Sequence, residues 1–203
     1  MFEGKSRTYV SPKREAQAAA TRDAILSAFA DQLADADRAT FSPKEAAERV
    51  GVSVRTVHSY FPDADAQILG LGEWFDRQVY PQAVEVAQGP DDLARYFRDI
   101  HANALKSPIA RALAEFRSPM WNEVRAKRRA ARLEAIRRSI REIGAPRRDT
   151  EDAIAMLLSL AGADTCWPMH EEYGLPIERV PDTIANTVQL IVDQLKTKAR
   201  QAR

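Results

Sequence analysis

Residues 42 to 61 read Ser-Pro-Lys-Glu-Ala-Ala-Glu-Arg-Val-Gly-Val-Ser-Val-Arg-Thr-Val-His-Ser-Tyr-Phe. This stretch decides the fold, because it spells two short helices joined by a tight turn. Ser42 is placed to cap the first helix, Pro43 suits its first position, and Glu45 completes a Ser-x-x-Glu capping box. Ala46, Ala47 and Val50 form an apolar stripe at helical spacing, and Gly51 is where the chain turns left-handed. Ser53 caps the second helix, with Val52 placed to staple onto Val57. A helix pair of this kind is the geometry that lays one helix in a DNA major groove.

Around this motif the chain is ordinary in bulk. Its 203 residues fit one or two domains with a sizeable core. Hydrophobic residues make up 45% and charged residues 29%, which argues against large-scale disorder. The single cysteine, Cys166, excludes an internal disulfide and fits a reducing compartment; it reads as a small buried hydrophobe. No apolar run has bilayer length and the N-terminus lacks a signal-peptide core, so a soluble cytoplasmic protein without membrane partners is expected.

Helical spacing dominates throughout, and no alternating β-branched run suggests a strand. A basic arm over residues 1 to about 14 precedes a helix to Ala34, with Ile25, Leu26, Phe29 and Leu33 on its core face. After the helix pair, Pro62-Asp63 leads into a fourth helix carrying Ile68, Leu71, Trp74, Phe75 and Val79, which stops near Pro81. Longer helices follow: from Pro90-Asp91-Asp92; near 109–116; from Met120 to Ile143, closed by Gly144; one capped by Asp149 or Thr150 and apolar from Ile154 to Ala163; and a last one from Pro181. The fold expected is all-α: a three-helix N-terminal head with the arm (1–63) and a helical-bundle body (64–203).

On the second helix of the motif, Val57 and Phe61 stand four apart and face inward. Ser53, Arg55, Thr56, His58, Ser59 and Tyr60 are therefore the candidate DNA-binding residues, with Lys44 and the arm reaching phosphates. Arginine can fork onto guanine O6 and N7, threonine can meet a thymine methyl, and tyrosine can bond a phosphate.

The run Gly51-Val52-Ser53-x-x-Thr56-x-x-x-Tyr60-Phe61, followed by Ile68-Leu69, resembles the signature of the TetR (tetracycline-repressor-like) family of bacterial transcription regulators. Upstream, Arg22-x-x-Ile25-Leu26-x-x-Phe29 is similar to that family's first helix, and Glu172-Tyr173-Gly174-Leu175-Pro176 resembles the link between its last two helices. The motif covers about residues 15 to 70; the remainder is similar only in helical layout. The resemblance implies a homodimer with a DNA-binding head and a ligand-binding body, bound to a palindromic operator and released by a small molecule. It departs at His58, where many members have Tyr, at Ala64, where many have a phosphate-binding Lys, and at Arg55, where Gly is frequent. One phosphate contact is lost, and Arg55 and His58 add donors.

The strongest charge lies elsewhere. Residues 1 to 23 carry a net charge of +2, whereas residues 124 to 148 hold ten Lys/Arg against Glu134 and Glu142, a net charge of +8. Arg125, Lys127, Arg128, Arg129, Arg132, Arg137, Arg138 and Arg141 spread around their helix instead of forming one stripe. A solvated outer face paired with acidic neighbours is the favoured reading. An acidic-ligand site or second nucleic-acid surface is the alternative, with one or two arginines turned into a cavity.

In the body, Phe97, His101, Phe116, Arg117, Met120, Trp121, Met156, Trp167 and His170 are the candidate ligand-binding residues, although core packing explains such side chains more often. Leu157, Leu160, Ala161, Ile184, Val188, Ile191 and Leu195 are the candidate dimer interface, the other reading being an intrachain core. Histidine and cysteine show no metal-ligand spacing, and no phosphate loop or catalytic triad context appears; neither metal, cofactor nor catalysis is expected. Competing readings are a helical small-molecule-binding protein or enzyme with a vestigial head, and an RNA- or acidic-partner-binding protein using the arginine-rich helix.

Overall fold

A computed structural model of the chain describes residues 12–35, 41–79, 89–162 and 165–202. Among these residues every regular element is helical and no strand is present, as the spacing of apolar residues predicts. The chain divides into two compact units, Met1–Leu71 and Gly72–Arg203.

The first unit holds α1 (Pro12–Ala34), α2 (Pro43–Val50), α3 (Val54–Tyr60) and the start of α4 (Ala64–Val79). Most of the expected arm lies outside the described residues, but Pro12, Lys13 and Arg14 already belong to α1. A proline tolerates the first helical position because its missing N–H would have no partner there. Ile25, Leu26, Phe29 and Leu33 are buried as their spacing requires.

The two serine caps, the proline start and the glycine turn of the helix pair take form, whereas the Ser42 N–H that a capping box assigns to Glu45 is taken by Gln32 Oε1 at 2.6 Å. Ser42 Oγ accepts from the Glu45 N–H at 3.4 Å, and Pro43 opens α2. Gly51 adopts φ 73°, its N–H reaching Glu48 O at 3.4 Å while the Val52 N–H reaches Ala47 O at 3.0 Å. These two bonds close a Schellman turn, which a residue with a Cβ enters only under strain. Ser53 Oγ then accepts from the Thr56 N–H at 3.0 Å, starting α3 two residues after the turn.

Phe61, at the end of α3, is 2% exposed and joins three elements. Its ring lies edge-on to Phe29 of α1 with centroids 6.0 Å apart, and the Arg22 guanidinium sits 5.3 Å from its centre. On α4, a Cβ at Gly70 would stand 2.6 Å from the same ring, so only glycine lets the helix come this close. Gln32, fully buried, adds a tie that hydrophobic periodicity does not reveal. Its side-chain amide accepts from the Ser42 N–H at 2.6 Å and donates to Ser42 O at 3.3 Å, fastening α1 to the cap of α2.

The second unit comprises the rest of α4, α5 (Leu93–Lys106), α6 (Pro108–Glu115), α7 (Pro119–Ile140), α8 (Arg147–Leu160), α9 (Cys166–Glu171) and α10 (Val180–Gln201). The α10 helix packs mainly along α5 and also against α8, and α7 lies on α8. Leu93, Phe97, Ile100 and Ala104 of α5 and Ile184, Val188, Val192 and Leu195 of α10 are all buried. Ser107 and Ser118 cap α6 and α7, each followed by a proline at the first position.

Two expectations change here. The eighth helix begins at Arg147 straight after Pro146, without a side-chain cap, and the Thr150 hydroxyl instead donates back to Pro146 O at 3.1 Å. The apolar run from Ile154 stops as helix at Leu160, because Thr165 Oγ1 donates to Ser159 O at 2.9 Å and a separate short helix, α9, follows. The stop expected near Pro81 lies outside the described residues, as does the side chain of Val79.

Gly51→Ala should lower stability by about 1–2 kcal/mol through the left-handed backbone alone, since nothing lies within 4 Å of the added methyl, with Gly51→Asn milder. Gly70→Ala should cost about 1–3 kcal/mol for the opposite reason, a clash with Phe61 in packed surroundings. Urea denaturation followed by circular dichroism measures both; an unchanged midpoint for either removes the constraint assigned to that glycine.

Candidate functional site

The outer face of α3 follows from what lies beneath it. Val57 is fully buried and Phe61 nearly so, and the helical repeat then turns Arg55, His58 and Ser59 outward, where all three are exposed. Thr56 and Tyr60 are half-buried at the flanks, and the Tyr60 ring lies 6.4 Å from Phe61. Ser53 and Thr56 pair their hydroxyls at 2.8 Å, and Ser59 Oγ donates to Thr56 O at 2.7 Å. These hydroxyls therefore hold the helix start and first turn before they meet anything else. Arg55, His58 and, on α2, the exposed Lys44 make no hydrogen bond or ion pair among the described residues. The face can fork a guanidinium onto a base edge or phosphate and offer an imidazole beside it.

In the body a cavity of about 360 Å³ lies against α7. Phe75, Leu113, Trp121 and Leu158 form apolar parts of its wall, and Arg125, Arg128, Arg129 and Arg132 form the basic part. Those four arginines stand at i, i+3, i+4 and i+7, so they share one face of α7. Arginines spread around the helix were expected, and this subset was missed, because its spacing marks a shared face without saying that a cavity meets it.

Two of the four are tied into the fold. Arg125 donates to Leu113 O at 2.9 Å and Ala114 O at 2.5 Å, placing its charge where α6 ends in free carbonyls. Trp121 Nε1 donates to the same Leu113 O at 3.0 Å. Arg128, with its side chain 14% exposed, donates to Asp76 at 3.0 Å and to Gly72 O at 2.7 Å. Its guanidinium also sits 4.9 Å from the Trp121 ring and 5.3 Å from Phe75, a cation held by two aromatic faces. Partial burial holds the Asp76 carboxyl above its ordinary range, against the lowering pull of Arg128 and Arg132.

Of the ligand candidates read from sequence, Trp121 lines this cavity and the others do not. Phe97 is core; His101 is 1% exposed and its Nε2–H donates to Leu160 O at 2.8 Å. Phe116 packs edge-on to Trp121, with centroids 6.1 Å apart. Arg117 is exposed and donates to Ala114 O and Phe116 O; Met120 is half-buried, Met156 is 53% exposed and Trp167 is buried. His170 is half-buried with Nδ1–H directed to Leu175 O at 2.9 Å. They form no single site.

The candidate interface residues are likewise divided. Leu157, Ala161, Ile184, Val188 and Leu195 are buried within the single chain, because these positions face its own core; Leu160 and Ile191 are half-buried. The outward apolar surface of α8 and α10 instead carries Met156 and Leu190, the latter 70% exposed, along a groove that also includes Ile191 and Thr187. Cys166 is fully buried. Among the described residues no cluster of His, Cys, Asp and Glu is placed to hold a metal ion, and no helix is long and apolar enough to cross a membrane.

Compared with protein-family models, curated proteins and solved structures, the chain matches none.

Arg128→Ala should destabilise the second unit by about 1–3 kcal/mol, removing the cation from between Trp121 and Phe75 and leaving Asp76 without its strongest partner. The figure is below that of a fully buried pair because the Asp76 side chain is 44% exposed. Arg128→Lys should fall between, keeping charge but losing the fork. Thermal melts that place Ala and wild type together would contradict the assignment.

Proposed function

We propose that this chain is a dimeric, ligand-responsive DNA-binding transcriptional regulator of the TetR type, acting as a repressor that a small molecule releases from a palindromic operator. The observation that carries the reading is the outer face of α3. Arg55, His58 and Ser59 stand exposed on a short helix whose other side is pinned by Val57 and Phe61, with caps at Ser42 and Ser53 and the left-handed Gly51 before it. A recognition helix is mounted in this way, rigid beneath and polar above. Lys44 in the first turn of α2 supplies a phosphate contact that positions without specifying.

Two copies reading successive half-sites need their recognition helices about 34–36 Å apart. The groove of α8 and α10, with Met156 and Leu190 outward, supports a second copy packing there. A ligand in the body would act by binding more tightly to the conformation whose spacing does not fit DNA; its differential affinity is the whole of the shift it can cause. The α7 cavity is the space that supports a ligand-responsive body.

The test is the affinity of variants for a duplex retained by the protein from a random pool, measured by fluorescence anisotropy. Arg55→Ala and Tyr60→Ala should each weaken binding by roughly tenfold or more, with helix content and oligomeric state unchanged. Lys44→Ala should weaken binding evenly across sequences and reduce the salt slope by about 1. Retention of no duplex, or equal affinity for wild type and both α3 variants, overturns the reading.

A further inference from the structure

The arginine stripe of α7 holds more charge at the cavity than the fold uses. Arg125 is engaged by the carbonyls that end α6, and Arg128 by Asp76, Gly72 O and two aromatic rings. Arg129 and Arg132 also line the cavity, yet among the described residues neither makes a hydrogen bond or ion pair. They stand three apart on one helix, where like charges repel. Among the described residues no carboxylate lines the cavity to offset them. Asp76 is already bound by Arg128 and acts on Arg132 only through space.

The same cavity has an apolar side. Leu113, Trp121 and Leu158 face the space the arginines share, and its volume of about 360 Å³ lies at the lower end of the range for small-molecule sites, ~300–1,000 Å³. A space that is cationic at one wall and apolar at the other selects an amphipathic anion. Its concavity separates it from a duplex-binding surface, which presents basic side chains outward along a ridge or groove.

We propose that this cavity binds a small organic acid, its carboxylate held by Arg129 and Arg132 and its hydrocarbon part lying against Trp121, Leu113 and Leu158. The proposal rests on the regulator reading only for its biological role, where the acid is the effector; the site itself is a property of the second unit. The guanidinium pair, Arg129 exposed and Arg132 half-buried, provides forked donors to a carboxylate, bonds stronger than those between neutral groups. Bound acid also relieves the repulsion between the two arginines, so occupancy should raise thermal stability.

The experiment is isothermal titration of the full chain, without DNA, using octanoate and octanamide, which share a hydrocarbon tail and differ in charge. Wild type should bind octanoate roughly tenfold or more tightly than octanamide. Arg129→Gln with Arg132→Gln should bring octanoate down to the octanamide level. Arg137→Gln with Arg138→Gln, the same charge change at α7 positions outside the cavity lining, should leave the ratio intact. Arg129→Lys with Arg132→Lys should fall between.

Equal binding of acid and amide by wild type, no binding of either, or equal losses in the two Gln pairs would overturn the site. The wild-type comparison stands even where a variant fails to fold. If the Arg129/Arg132 pair of Gln substitutions abolishes duplex binding in the absence of any acid, the stripe belongs to nucleic acid and the proposal is wrong. Octanoate discrimination by a protein that retains no duplex leaves the site standing and removes the regulator reading; duplex binding without octanoate discrimination does the reverse.

Discussion

The burial of Phe61 is the constraint from which the N-terminal unit follows. One ring is shared by α1 through Phe29 and Arg22, by α3 through its own position, and by α4 through the missing side chain at Gly70. Because Val57 lies one turn before Phe61 and is buried with it, the rotation of α3 about its axis is set. The outward direction of Arg55, His58 and Ser59 is a consequence of that packing and not an independent feature. The buried Gln32 amide performs the complementary task for α2, holding its cap with two hydrogen bonds where an apolar side chain would only fill space. Polar display on one side of so short a helix depends on such support, since seven residues have little helical stability of their own.

In the second unit, arginine serves different ends on neighbouring turns of one helix. Arg125 closes the end of α6, Arg128 ties α7 to α4 through Asp76 and its aromatic neighbours, and Arg129 and Arg132 border open space. Arg137 pairs with Glu134 at the surface at 2.8 Å, the solvated arrangement expected of the whole run. A single high local charge thus resolves into structural cations, surface ion pairs and a pair left facing a cavity.

Much of the N-terminal unit could be read from residues alone because its signals are local. A serine three residues before its backbone partner, a proline at a first position and a glycine at a helix end act within one turn, so sequence spacing is sufficient. The all-helical character was legible for the same reason. What escaped depends on tertiary partners. Gln32 looks like any surface glutamine until Ser42 is brought beside it, and the arginine stripe looks diffuse until α6, α8 and α4 choose which residues face inward. Helical periodicity picked Leu157, Ile184 and Val188 as a subunit interface because it marks an apolar face without saying which neighbour covers it. In the fold that neighbour is the chain's own core, and Met156 and Leu190 are left outside. The break between α8 and α9 was hidden by an unbroken apolar pattern, for a hydroxyl tie from Thr165 to Ser159 carries no periodic signature.

Sequencing the duplexes that the purified wild-type chain retains from a fully random pool tests the central claim most directly. An exposed α3 mounted on a buried Phe61, and used twice in a symmetric assembly, should enrich a two-fold symmetric consensus with half-site centres separated by about one helical turn or a multiple of it. A retained pool as random as the input, or a consensus without a symmetry axis, would contradict the claim that this face reads DNA as a pair.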